Sequence, residues 1–189
     1  MRDDFSYQAV IFDLDGVLAN SEPGIFRIHQ ELISVYGPTL GDSDHRALFG
    51  MDFADSAVYL IDTYGIPETP SQLAEILRAA VLERIPQVVE PIPSSLDLVS
   101  SLAARGYRLG LASNSPCDYV LSVVKSLGLD GFFPAPVGRS DVRLGKPAPD
   151  PYLEACRRAD ADPNHCLAVE DSPAGMRSAL AAVHGISKN

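Results

Sequence analysis

The run from Gln8 to Phe12 is β-rich and continuously apolar rather than alternating, which is how a strand buried on both faces reads. Such a strand needs packed layers on either side. It ends in Asp13-Leu14-Asp15-Gly16, two carboxylates two residues apart followed by a residue that lets the backbone turn sharply. Residues i and i+2 of a strand point the same way, so Asp13 and Asp15 start on one side, diverging only where the strand ends. Two like charges this close raise one pKa unless a cation or ligand compensates. A hard cation such as Mg2+ would do so through oxygen ligands; a division of labour between nucleophile and proton donor is the second reading, and a pair of surface acids capping the strand the third.

At 189 residues the chain is long enough to bury a core, as one domain with a sizeable insertion or as two small ones. Its formal net charge of -10 argues against nucleic acid, whose backbone is neutralised by Lys and Arg. A phosphorylated metabolite stays admissible, because a local metal and a few cations override the global field. Cys117, Cys156 and Cys166 are odd in number and form no CxxC pair, so they read as small core residues in a reduced, cytoplasmic compartment. The start of the chain, with Asp3 and Asp4 before Phe5, lacks the basic and long apolar segments of a signal peptide. No stretch approaches the roughly 20 apolar residues of a membrane span, so no membrane partner is expected.

Along the chain the pattern changes twice. From Pro23 to Arg84 it is helical: Ile25, Ile28, His29, Leu32 and Tyr36 share one helical face, Ala54 to Tyr64 is a second segment closed by Gly65 and Pro67, and Pro70-Ser71 opens a third through Leu73, Ile76, Leu77, Ala80 and Val81. Residues 86–93 then hold three prolines in eight positions, which predicts a linker rather than a helix. Beyond it, helices and strands alternate. Ser94 or Ser95 caps a helix that Gly106 ends, and Tyr107 to Ala112 is an apolar strand. A helix from Tyr119 to Leu127 follows Pro116, then come a short strand at Ala135 to Val137, a helix from Pro149 to Arg158, the strand Cys166 to Val169, and a last helix from Ala174 to Ala182. This alternation predicts an α/β fold, a doubly wound parallel sheet of Rossmann-like type with a small helical insert.

Ligands of such sheets sit beyond the carboxyl ends of the strands. Four groups collect there: Asp13 and Asp15, Ser113 and Asn114, Lys146, and Glu170 with Asp171. Each has an ordinary explanation, as turn formers, a solvated cation or a helix cap. Together they are complementary, with carboxylates for a metal, and a hydroxyl, an amide and an ammonium for an anion.

The motifs DLDGVLANSE, LASNSP, LGKPAPDPY and VEDSPAGMRSA, in this order, resemble the haloacid dehalogenase superfamily of phosphatases and phosphomutases, in the subgroup with a helical cap inserted after the first motif. The resemblance covers nearly the whole chain. It implies a Rossmann-like catalytic core at 1–17 and 90–189, a cap at 18–89, and two hinges, near Val17 to Ser21 and Pro86 to Pro93, on which a lid closes over the substrate. By the same resemblance Asp13 is the nucleophile that forms an aspartyl-phosphate, and Asp15 the acid and base. Mg2+ is held by Asp13, the backbone carbonyl of Asp15 and Asp171, with Glu170 contributing directly or through the residues that hold it. Ser113, Asn114 and Lys146 bind the phosphoryl oxygens. In the cap, Gly50-Met51 resembles the specificity loop, and Arg46 is placed to meet a substrate anion or to serve as an ordinary surface arginine.

Departures from the family pattern narrow the reading. Sugar phosphomutases of this subgroup carry a histidine after the first motif and basic residues around the cap glycine; the corresponding places here hold Ile25, Phe49 and Phe53, with His29 a turn too late. Hydrolysis of a small phosphorylated metabolite, a phosphosugar or sugar-acid phosphate, by a monomer or dimer is therefore expected over mutase transfer. Relatives also continue past the last helix through a glycine, a strand and a helix, whereas this sequence stops at Asn189. The expectation is a stub of that strand at Val183 to Ser187 with apolar sheet surface exposed beside it, and a weakly active or non-catalytic relative is the alternative. A phospho-accepting signalling domain has similar groups but needs neither the insert nor the second aspartate. His45, His165 and His184 receive no catalytic role.

Overall fold

The computed structural model describes residues 7–184, with side chains through Ala182. It divides into two compact units, one made of the chain up to Asn20 together with that from Glu90 onward, the other of Ser21–Val89.

The first unit is organised on three parallel strands, β1 (Ala9–Phe12), β4 (Arg108–Leu111) and β5 (Cys166–Val169), in the order β4-β1-β5. The continuous apolar run takes the central place: all four residues of β1 are buried. Ala9 and Ile11 join a core of Ala112, Val137, Tyr152, Ala155 and Cys156, while Phe12 meets Phe133 edge-on with ring centroids 5.9 Å apart. Register is direct, Phe12 lying opposite Leu111 on one side and Val169 on the other, so the three strands end level. Gly110 in β4 is a packing requirement, since a Cβ there would lie 2.6 Å from Ile11 Cδ1.

Two further strands, β2 (Ala19–Asn20) and β3 (Glu90–Pro91), pair antiparallel, so the two passages to the helical unit form a ribbon. The strand expected at Ala135 to Val137 contracts to one bridge, Ala112 to Val137, because Pro134 and Pro136 have no N–H to extend a ladder. Val137 N donates to Leu111 O at 2.9 Å and Ser113 N to Val137 O at 2.9 Å.

The second unit holds four helices, α1 (Glu22–Ser34), α2 (Asp42–Leu48), α3 (Phe53–Tyr64) and α4 (Pro70–Val88). Asp52 caps α3 by accepting from Asp55 N at 2.8 Å, Gly65 ends it in the left-handed region, and Thr69 with Gln72 forms a capping box on α4. The linker expected from Pro86 starts three residues later, at Val89, since α4 runs through Pro86 to Val88. A proline in the final turn removes one donor only, and Val89 N still reaches Ile85 O at 3.0 Å. Leu73, Leu77, Val81 and Ile85 form the buried stripe of α4. Helix α2, within the stretch expected to be helical but not singled out because seven residues hold too little periodicity, is anchored by its buried Asp44. That carboxylate accepts from Tyr59 Oη at 2.9 Å, Tyr64 Oη at 2.7 Å and Gly41 N at 2.8 Å.

Four helices flank the parallel sheet, α5 (Pro93–Ala104), α6 (Cys117–Ser126), α7 (Asp150–Arg158) and α8 (Pro173–His184). Helix α5 begins at Pro93, ahead of the expected serine caps, because proline suits the first helical position. Helix α8 continues to His184, so the first two residues of the expected strand stub are helical, and its remainder lies outside the described residues. Among the described residues no helix is long and apolar enough to cross a membrane.

Two stability predictions follow from the helical unit. Asp44→Ala strands two partly buried tyrosine hydroxyls and should cost about 1–3 kcal/mol in urea unfolding. His29 is buried, its Nε2 lacks a hydrogen-bond partner among the described residues, and burial lowers its pKa from 6.5 to about 4. The unfolded chain therefore gains a proton first as pH falls. His29 destabilises the fold increasingly as pH falls from about 6.5 to 4, by about 3 kcal/mol below that window and by nothing above it. The difference in urea midpoint between wild type and His29→Leu should change with pH across that window and be flat above it.

Candidate active site

Because β1, β4 and β5 run parallel and end level, the residues that follow them share one edge of the sheet. Asp13 follows β1, Ser113 follows β4 after Ala112, and Glu170 follows β5. Asp13 N still donates to Val169 O at 3.0 Å and Ala112 N to Phe12 O at 2.9 Å, so the ladder carries these side chains to their places. After Asp13 the chain winds tightly. Leu14 O accepts from Leu18 N at 2.8 Å and Ala19 N at 3.0 Å, and Gly16 takes φ +83°. A Cβ on Gly16 would lie 2.1 Å from Asp171 Oδ2, so this glycine is needed for conformation and for space alike.

Lys146 arrives from the loop before α7. Its Nζ donates to Asp13 Oδ1 at 2.7 Å and to Glu170 Oε1, with the lysine side chain 4% exposed, that of Asp13 11% and that of Glu170 3%. The ammonium lies 5.2 Å from the centroid of the buried Tyr152 ring, a cation–π contact. Glu170 Oε2 accepts from both Ser172 N and Ser172 Oγ at 2.9 Å. Asp171 completes the group: one oxygen each of Asp13, Glu170 and Asp171 lie within 4.8 Å of one another.

Three carboxylates around one ammonium leave an excess of negative charge. Burial, opposed by Lys146 and reinforced by Glu170, raises Asp13 to about 7. Burial and the Glu170 charge raise Asp171 as well. Burial pushes Glu170 upward too, but Lys146 and the Ser172 donors outweigh it and hold that carboxyl below the usual range. Oxygen-only donors at this spacing, two of them pushed toward neutrality, fit a hard divalent cation that would restore their charge.

Asp15 has hydroxyl partners of its own, while its charge also acts on Asp171. Asp15 Oδ2 accepts from Ser115 Oγ at 2.9 Å and its Oδ1 from Tyr119 Oη at 2.9 Å, so two carboxylates two residues apart have different surroundings. Ser113 is buried and its Oγ accepts from Ser115 N at 3.0 Å. The Asn114 amide is engaged with the Lys146 backbone, donating to its carbonyl at 3.2 Å and accepting from its N–H at 2.7 Å. Asn114 thus fixes the loop that aims the ammonium.

The first unit brings together Asp13, Asp15, Ser113, Asn114, Lys146, Glu170 and Asp171. Arg46, Gly50 and Met51 belong to the helical unit, where Arg46 is exposed at the end of α2 and Gly50 N donates to Glu22 Oε1 at 3.3 Å. Ser115, Tyr119, Tyr152 and Ser172 were not foreseen as site residues. Three of them lie inside the quoted motifs, Ser115 in LASNSP, Tyr152 in LGKPAPDPY and Ser172 in VEDSPAGMRSA, and would be found by asking what holds each charged group. Tyr119 carries only the signal of an aromatic residue in the first turn of α6.

A model of the family described as haloacid dehalogenase-like hydrolase matches residues 10–186. The chain is 28% identical over 176 residues to the validoxylamine A 7'-phosphate phosphatase of Streptomyces hygroscopicus subsp. limoneus, covering 93% of this chain and 82% of that protein. It is 30% identical over 176 residues to the fructose-1-phosphate phosphatase of Escherichia coli, covering 93% of each. The crystal structure of a hydrolase of this family from Deinococcus radiodurans, with bound phosphate and sodium, matches 95% of this chain and 79% of that one at TM-score 0.72 and 28% identity.

Gly16→Ala tests the geometry directly. The added methyl must displace Asp171 and occupies a left-handed conformation, so stability should fall by about 1–3 kcal/mol. Divalent-cation affinity, read by titration calorimetry, should fall about 10–100-fold.

Proposed function

The chain belongs to the haloacid dehalogenase-like hydrolases, and on that footing we propose that it is a Mg2+-dependent phosphatase of a small phosphorylated metabolite, a phosphosugar or sugar-acid phosphate, working in the cytoplasm through an aspartyl-phosphate. The observation that carries this reading is Lys146 bridging Asp13 and Glu170 at the strand ends, with Asp171 beside them. The relatives named as phosphatases of validoxylamine A 7'-phosphate and fructose-1-phosphate support the substrate class. We assign the catalytic core to 1–17 and 90–189 and the cap to 18–89, where Arg46, Gly50 and Met51 are the candidates for selecting the part of the substrate beyond phosphate.

Asp13 is the nucleophile: its carboxylate oxygen bonds to phosphorus as the ester P–O bond breaks. Asp15, held by Ser115 and Tyr119, gives its proton to the leaving alkoxide, then takes one from the water that cleaves the aspartyl-phosphate and frees Asp13. Lys146 and Ser113 hold phosphoryl oxygens, and Asn114 keeps the Lys146 loop in place. Asp13, Asp171, Glu170 and the Asp15 carbonyl are the residues suited to hold Mg2+, which when bound neutralises the charge that would otherwise keep phosphate from a carboxylate.

Hydrolysis rather than mutase transfer is favoured by the burial of His29 in the helical unit, which removes the nearest candidate for a second proton-handling group. Phosphate release from a panel of sugar, sugar-acid and polyol phosphates should require Mg2+ and vanish with EDTA. It should fall about 10³-fold or more in Asp13→Asn and about 10²–10⁴-fold in Asp15→Asn. Turnover that persists in Asp13→Asn would sink the assignment.

A further inference from the structure

Cys156 on α7 and Cys166 at the first position of β5 have no part in the chemistry above. They are ten positions apart in sequence, yet both belong to one packed cluster, where Cys156 is 3% exposed and Cys166 is partly buried against it. Each thiol perturbs the other's ionisation, so the two lie within interaction range across the seam between helix and sheet. They also line the same cavity of about 390 Å3, whose rim carries the exposed Leu167, Met176 and Leu180. Two thiols packed in one cluster and lining one cavity are placed to form a bond.

We propose that Cys156 and Cys166 are an oxidisable dithiol, a modification site for hydrogen peroxide that closes to an intramolecular disulfide between α7 and β5. Their environments set the order of reaction. Cys166 donates its S–H to Asp162 O at 3.2 Å and is the more exposed of the two. The Cys156 contact lowers the Cys166 thiol and raises that of Cys156, so Cys166 is the readier thiolate and Cys156 the resolving thiol. The Cys166 thiolate attacks one peroxide oxygen, breaking the O–O bond and releasing hydroxide, which leaves a sulfenic acid. The Cys156 sulfur then attacks the Cys166 sulfur; the S–O bond breaks, and the departing hydroxyl leaves as water with the Cys156 proton. In balance two thiols and one peroxide give one disulfide and two waters.

The thiols lie at the other end of β5 from the carboxylates, although Tyr152 and Glu170 line the same cavity. Cys166 opens β5 and Glu170 follows its end, so they are about 13 Å apart along the strand. The disulfide would tie the helix that follows the Lys146 loop to the strand that delivers Glu170 and Asp171. Cys117 stands elsewhere, at the start of α6, its Sγ donating to Asp141 at 3.2 Å.

Folded protein is treated with hydrogen peroxide, its thiols counted after denaturation and its peptides mapped by mass under non-reducing conditions. The three thiols should fall to one, with a linked Cys156–Cys166 peptide two hydrogens lighter than the reduced pair and restored by dithiothreitol. In Cys156→Ala, dimedone should tag Cys166 as the trapped sulfenic acid, and Cys117→Ser should still lose both of its remaining thiols. Circular dichroism checks that each variant is folded. Retention of all three thiols in the wild type, linkage through Cys117 or between two chains, or dimedone capture at Cys117 instead of Cys166 overturns the proposal.

Discussion

One buried ammonium holds the carboxyl edge of this sheet together. Lys146 reaches in from a loop and takes Asp13 and Glu170, the residues that follow two neighbouring strands, on one nitrogen. Burying a charge is costly unless it is paired, and the pairing here joins three stretches of chain far apart in sequence. The rest of the site adjusts to that contact. Asn114 clamps the lysine backbone, the Tyr152 ring lies beside the ammonium, and Ser172 satisfies the second oxygen of Glu170. A single positive charge does not balance Asp13, Glu170 and Asp171, and the upward pull on Asp13 and Asp171 expresses that imbalance. A divalent cation would restore the balance.

The separation of Asp13 from Asp15 is the second consequence. Two residues apart, the pair starts on the same side of the strand, but β1 stops at Phe12 and Gly16 turns the chain through a left-handed conformation. Asp13 is left facing an ammonium, Asp15 facing two hydroxyls. Different surroundings for neighbouring carboxylates are how one site supports a nucleophile and an acid without exchanging their roles. Gly16 serves both ends of this arrangement, since the space its missing side chain leaves is where Asp171 enters.

Much of the fold was legible because the signals were local and strong. The apolar run ending in Phe12 and the segment Cys166–Val169 are strands where they were expected, since neither holds a competing turn signal. Where the reading failed, one residue's local rule met a longer-range one. Pro86 was expected to start a linker, but in a last helical turn it removes a single donor and the buried stripe from Leu73 to Ile85 holds the helix. Pro134 and Pro136 acted in the opposite direction, reducing an apolar stretch to one bridge. The charged residues of the site were legible as residue types at strand ends. Their partners Ser115, Tyr119, Tyr152 and Ser172 were not, because a hydroxyl or a ring carries no mark of the charge it will face.

The sequence by itself determined the succession of helices and strands, the parallel sheet, and the carboxylates, amide, hydroxyl and ammonium at its edge, since hydrophobic period and turn chemistry are written in neighbouring residues. Only the tertiary structure decided that Lys146 would join Asp13 to Glu170, that Asp15 would turn to Ser115 and Tyr119, and that Cys156 would meet Cys166. Those contacts depend on level strand ends and on the close approach of distant segments, which no local pattern encodes.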